Sequence, residues 1–88
     1  MFAVIGVTPA ATLEAGDLDA GAVLLAVHNR MAALQAEDVL EVRTRLAGVT
    51  EELAGWSRLN ACELIATLDA GGQTVHLLKK GKGAARWE

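Results

Sequence analysis

The 88-residue chain holds one cysteine, one proline, no tyrosine, one phenylalanine and two tryptophans. A single thiol, Cys62, excludes an internal disulfide and any cysteine-based metal cluster. The lack of disulfides fits a reducing compartment. One proline within a 52% apolar composition excludes a disordered, proline-rich chain. So few aromatics leave no stacking platform for single-stranded nucleic acid, since only Trp87 accompanies the basic residues near the end of the chain. The net charge of −3 is too mild to steer the chain toward nucleic acid. No long hydrophobic run occurs either. In the opening "MFAVIGVTPAATL" the apolar stretch ending at Val7 is too short for a membrane span and has no basic flank of the signal-peptide kind. These absences lead to the expectation of a soluble, cytoplasmic protein with no membrane partner.

What remains is one small domain. "TLEA", Thr12 to Ala15, follows the break at Pro9 and reads as a short strand. Leu24, Val27, Met31 and Leu34 then recur at three- and four-residue intervals, the spacing of an apolar helix stripe. Asp17 and Asp19 precede it as candidate caps and complement the helix dipole. "DVLEVRT", Asp38 to Thr44, alternates apolar and polar residues as a half-buried strand does. Val49, Leu53, Trp56 and Leu59 form a second helical stripe, with Gly48 or Thr50 marking its start and Asn60 its end. "ELIATLDA" and "QTVHLLKK" read as strands joined by Gly71 and Gly72, which supply the positive φ angles of a two-residue hairpin.

The order β-α-β-α-β-β implies an α/β two-layer sandwich, a four-stranded mixed sheet with both helices on one face. Residues 11–82 form the domain, 1–10 an N-terminal extension or edge strand, and 83–88 a tail. By alternation the helix-free face should carry Val39, Glu41, Arg43, Ile65, Thr67, His76 and Leu78, while Cys62, Leu64, Ala66 and Leu68 point to the core. Val39, Ile65 and Leu78 are then a candidate interface, because contiguous exposed apolar residues mark association surfaces.

The chain resembles the TusA-like (SirA-like) sulfur-carrier family. "LEAGDLDAGAV", Leu13 to Val23, matches in register that family's L-D-x-R-G-L-x-C-P-x-P. "LLAVHNRMAALQAEDVLEV" matches its first helix and the G-D-V-L-E-V that follows, "EELAGWSRLNACELI" its second helix and G-H-E-L, and "GQTVHLLKKG" its ending in L-x-K-G. The resemblance implies the same two-layer fold. It also implies a persulfide carrier whose cysteine stands at a helix N-terminus, where the dipole stabilises a thiolate. At that position this chain has Ala20, and the motif's two prolines become Gly21 and Val23. Ala20 has neither nucleophile nor lone pair. The segment Asp17, Leu18, Asp19, Ala20, Gly21 and Ala22 is where, by resemblance, partners of a carrier dock.

Other candidates have plainer explanations. Cys62 is the one substitute for the lost thiol, yet it aligns with the histidine of G-H-E-L, and single buried cysteines behave as small hydrophobes. His28 and His76 lack ligands at zinc-type spacing and read as solvated surface residues. Glu51 and Glu52 are explained by the helix dipole at the second helix start rather than by acid–base work. Lys79, Lys80, Lys82 and Arg86 read as a solvated end of the chain. The expectation is therefore a protein without metal or cofactor, non-catalytic through the family's mechanism. It would bind a protein partner or itself as an adaptor or regulatory component, with a role in sulfur trafficking implied by the resemblance. The alternatives are a sulfur or thiol carrier working through Cys62 and a small oligomeric ligand-binding protein.

Overall fold

A computed structural model describes residues 7–82. They form β1 (Ala11–Gly16), α1 (Ala20–Ala32), β2 (Val39–Thr44), α2 (Val49–Leu59), β3 (Cys62–Asp69) and β4 (Thr74–Lys80). The sheet order is β1-β2-β4-β3, with β1 and β2 parallel and the other two pairings antiparallel. The architecture is the expected two-layer sandwich. The parallel pair forces α1 to cross over the sheet, because parallel strands cannot be joined by a tight turn. The antiparallel β3 and β4 are joined by Gly71 and Gly72, at φ 58° and 86°. Ala70 and Gln73 exchange main-chain hydrogen bonds across that turn.

Between helices and sheet lies the main core: Leu13 and Ala15 of β1, Leu40 and Val42 of β2, and Leu78 of β4 meet Val23, Val27 and Met31 of α1 and Val49 and Leu53 of α2. In α1 the fully buried residues are four apart, with Leu24 and Leu34 packed at the margin of the core. In α2 the buried line is Val49, Leu53 and Ser57. Leu59, expected in this stripe, is 87% exposed, because a ten-residue offset from Val49 carries it off the buried face. Trp56 is half-buried against the core and meets the His28 ring edge-on at 6.5 Å, so His28 is not freely solvated.

The face assignment of β4 differs from the expectation. Leu78 is paired with Leu40 and His76 with Val42, and directly paired residues share a face. Both therefore point at the helices, and both are fully buried. Leu78 is a core residue and not part of an interface, and His76 is not a surface histidine. The reason is that β4 is an inner strand buried on both faces, so its sequence has no polar–apolar alternation to read. Val75 and Leu77 occupy the other face with Val39, and Val7, Ile65, Ala66 and Ala70 pack around them. Val39 is buried there and Ile65 half-buried, so neither is a bare apolar patch.

A bulge in β3 accounts for a second difference. Leu64 pairs with Leu78 and Ala66 with Leu77, leaving Ile65 as the extra residue. One extra residue reverses the alternation of everything beyond it. Cys62 and Leu64 face the helices as expected, but Ala66 and Leu68 share the face of Leu77 and Val75, and Thr67 that of His76.

Apart from Val39, the helix-free face of β1 and β2 is polar, with Thr12 beside Glu41 and Glu14 beside Arg43. Glu41 is buried there and accepts from Thr12 Oγ1 at 3.0 Å and from Arg43 Nε at 2.8 Å. Lys80 is also buried, so it does not belong to a solvated end of the chain. Of the proposed N-terminal edge strand, residues 7–10 are not a strand, although Ala10 N–H donates to the Val39 carbonyl at 2.8 Å. Residues 1–6 and the tail 83–88 lie outside the described residues. Among the described residues, no helix is long and apolar enough to cross a membrane.

Candidate functional site

β1 and β2 run parallel, so the loops leading into α1 and α2 leave the sheet at the same end. Gly16 turns the chain out of β1 with φ 54°, a left-handed conformation that favours glycine. Its carbonyl accepts from Arg45 N–H at 2.8 Å, which ties the first loop to the second. The side chains repeat the link: Arg45 Nε and Nη2 donate to Asp17 Oδ1 and Oδ2 at 3.3 and 3.2 Å. The hydrogen bonds and charge of Arg45 hold the Asp17 carboxyl below its ordinary range. Leu18 and Leu46, next in sequence to each partner, are 45% and 41% exposed.

Asp19 caps α1. Its backbone is extended, and Oδ1 accepts from Ala22 N–H at 2.9 Å. Of the two expected caps only Asp19 acts as one, while Asp17 is turned to Arg45. Ala20, half-buried, is the first residue of α1, followed by exposed Gly21 and half-buried Ala22. The dipole and cap that would stabilise an anion at position 20 are in place, and the residue there carries a methyl group.

α2 starts differently. Gly48 is its N-cap at φ 89° and supplies no side-chain hydrogen bond to the first turn. Glu51 and Glu52 are exposed in that turn, where the dipole favours them. Half-buried Thr50 places Oγ1 2.7 Å from His76 Nε2, and His76 Nδ1 lies 3.2 Å from the Val42 carbonyl. Burial pushes the His76 imidazole below its ordinary pKa, opposed by the Val42 hydrogen bond. Sequence reasoning missed this pair. Its members are 26 residues apart, and only the register of β4 reveals that they face each other.

Cys62 begins β3 and pairs with Lys80, at the end of the sheet opposite to the Gly16–Thr44 pairing from which α1 and α2 start. The fold therefore does not bring Cys62 and Ala20 together. The thiol is half-buried, donates to the Asn60 carbonyl at 3.5 Å, and borders a groove of about 280 Å³ with Ala54, Ser57, Arg58, Glu63 and Leu64. Burial raises the thiol pKa, against the opposing effects of a backbone hydrogen bond with Gly81 and the Lys80 charge. Such a thiol is protonated near neutrality and a poor nucleophile. Among the described residues, no three His, Cys, Asp or Glu side chains are grouped to hold a metal ion.

No protein-family model matches this chain, and a search of curated proteins finds no significant match.

Proposed function

We propose that this chain is a TusA-like protein that has lost persulfide chemistry and serves as a partner-binding, adaptor or regulatory component, with sulfur trafficking as its setting. The observation that carries the reading is the start of α1. Asp19 caps the helix, Asp17 is fixed by Arg45, and Ala20 replaces the nucleophile. The docking surface comprises Asp17, Asp19, Ala20, Gly21 and Ala22, flanked by exposed Leu18. Its partner would recognise a small, acidic, largely pre-formed loop. The sulfur setting rests on the motif resemblance alone, since fold does not fix function.

Loading with a persulfide donor, read by mass, tests the chemistry. Wild type should gain no sulfur, and Ala20→Cys should gain one. Loading of wild type that disappears in Cys62→Ala would replace this reading with a carrier working through Cys62. Docking is tested by comparing what wild type and Asp17→Lys retain from the native cell extract. A protein held by wild type and by Lys82→Glu but lost by Asp17→Lys supports the surface. An identical retained set for all three would sink it.

A further inference from the structure

We propose that Thr50 is a nucleophilic hydroxyl with His76 as its general base, forming a site that accepts a small acyl group from an uncharged activated ester. This goes beyond the binding role and does not rest on it. In a neutral imidazole one ring nitrogen donates and the other accepts. The Val42 carbonyl can only accept, so His76 Nδ1 carries the proton. Nε2 is then the acceptor and Thr50 Oγ1 the donor, at 2.7 Å. The three atoms reproduce nucleophile, base and orienting acceptor, with a backbone carbonyl in place of the usual carboxylate.

The surroundings supply the other needs of acyl transfer. Thr50 follows a strand-to-helix turn whose Gly48 is left-handed, and it stands in the first turn of α2. The N–H groups of that turn receive no cap from the Gly48 side, so they can donate to an oxyanion at the helix start. His76 is fully buried and Thr50 half-buried, so the base is kept from water while the nucleophile stands at the margin of the core. Among the charged groups of the elements around His76, Glu51 and Glu52 of α2 are exposed and Arg43 of β2 lies on the other face; the neighbour from β3 is the neutral Thr67. The two carboxylates of α2 disfavour a phosphate or other anionic donor and select an uncharged ester.

The step balances without any co-reactant. Thr50 Oγ1 attacks the ester carbonyl carbon while its proton passes to His76 Nε2. The tetrahedral intermediate expels the alcohol or phenol oxygen, which takes that proton. Acyl-threonine and free alcohol are the products, and nothing is oxidised or reduced.

The test is incubation of the full chain with p-nitrophenyl acetate. A burst of p-nitrophenolate equal to one acetyl per chain is expected, with the acetyl group mapped to Thr50 by peptide mass. Thr50→Ser should keep the burst, Thr50→Val should lose it, and His76→Gln should slow it about 100-fold. The rate should rise with the neutral imidazole and level off at or below the ordinary histidine value of about 6.5. Acetyl found only on lysines, the N-terminal amine or Cys62 would overturn the proposal, and so would Thr50 labelling at an unchanged rate in folded His76→Gln. Mapping on wild type decides the matter even where a variant fails to fold.

Discussion

Lys80 Nζ donates to the main-chain carbonyl of Met31 at 2.8 Å and to that of Leu34 at 2.5 Å, so the last residue of β4 closes the C-terminal end of α1. The final carbonyls of a helix have no partner within it, and a cation there also complements the dipole. Lys80→Met keeps the aliphatic stem and removes both charge-assisted bonds; the Met31 carbonyl retains its bond from Leu34 N–H at 3.0 Å, and the half-buried Leu34 carbonyl loses its Lys80 partner. The substitution should lower stability by about 2 kcal/mol, read as a lower urea midpoint. An unchanged midpoint would show that water replaces the ammonium without loss.

His76 should make stability depend on pH below the ordinary histidine value of about 6.5. Its folded pKa is depressed by burial, so in this window the unfolded chain binds more protons than the folded one. Stability then rises with pH. The contribution is complete above the unfolded value of about 6.5 and is lost as pH falls through the folded value. Urea midpoints of wild type should drop across this window, and those of His76→Gln should be flatter.

Gly81 admits no side chain. A Cβ built on it would collide with the main-chain oxygen of Ala61, which also accepts from Gly81 N–H at 2.9 Å. Backbone cannot swing aside as a flexible side chain can. Gly81→Ala should therefore cost about 1–3 kcal/mol, visible as a lower melting temperature. Gly21→Ala, whose Cβ meets only Asp19 Oδ1 at 3.7 Å, is the matched control and should not be destabilised by contact.

The Cys62 thiol, raised in pKa by burial, should react with Ellman's reagent at pH 7.5 more slowly than a free cysteine. Unfolding in urea should restore the ordinary rate. A native rate faster than that of free cysteine would mean an activated thiol and would favour the carrier alternative.

The elements were legible wherever a stretch had one buried side. The 3.6-residue period of α1 and the glycine pair of the hairpin each predict what is found; the alternation in β2 marks a strand, though an inner one buried on both faces and not the half-buried one expected. β4 was legible as a strand but its faces were not, because a strand buried on both sides has no period that distinguishes them. The β3 bulge left no mark either. Ile65 is as apolar as its neighbours, and the extra residue shows only in the pairing with Leu78 and Leu77. Within the candidate site, the Asp19 cap could be read locally, since donor and acceptor are three residues apart. The Asp17–Arg45 and Thr50–His76 contacts span 28 and 26 residues and depend on which strands become neighbours, which local sequence does not encode.

The placement of position 20 and Cys62 at opposite ends of the sheet has a kinetic consequence. A strand of six to eight residues spans about 20–27 Å at ~3.3 Å per residue, far beyond the reach of a sulfur-to-sulfur bond. A sulfur placed on a cysteine introduced at position 20 has no intramolecular path to Cys62. Its passage there requires collision of two molecules, so the rate would be second order in protein and would vanish on dilution.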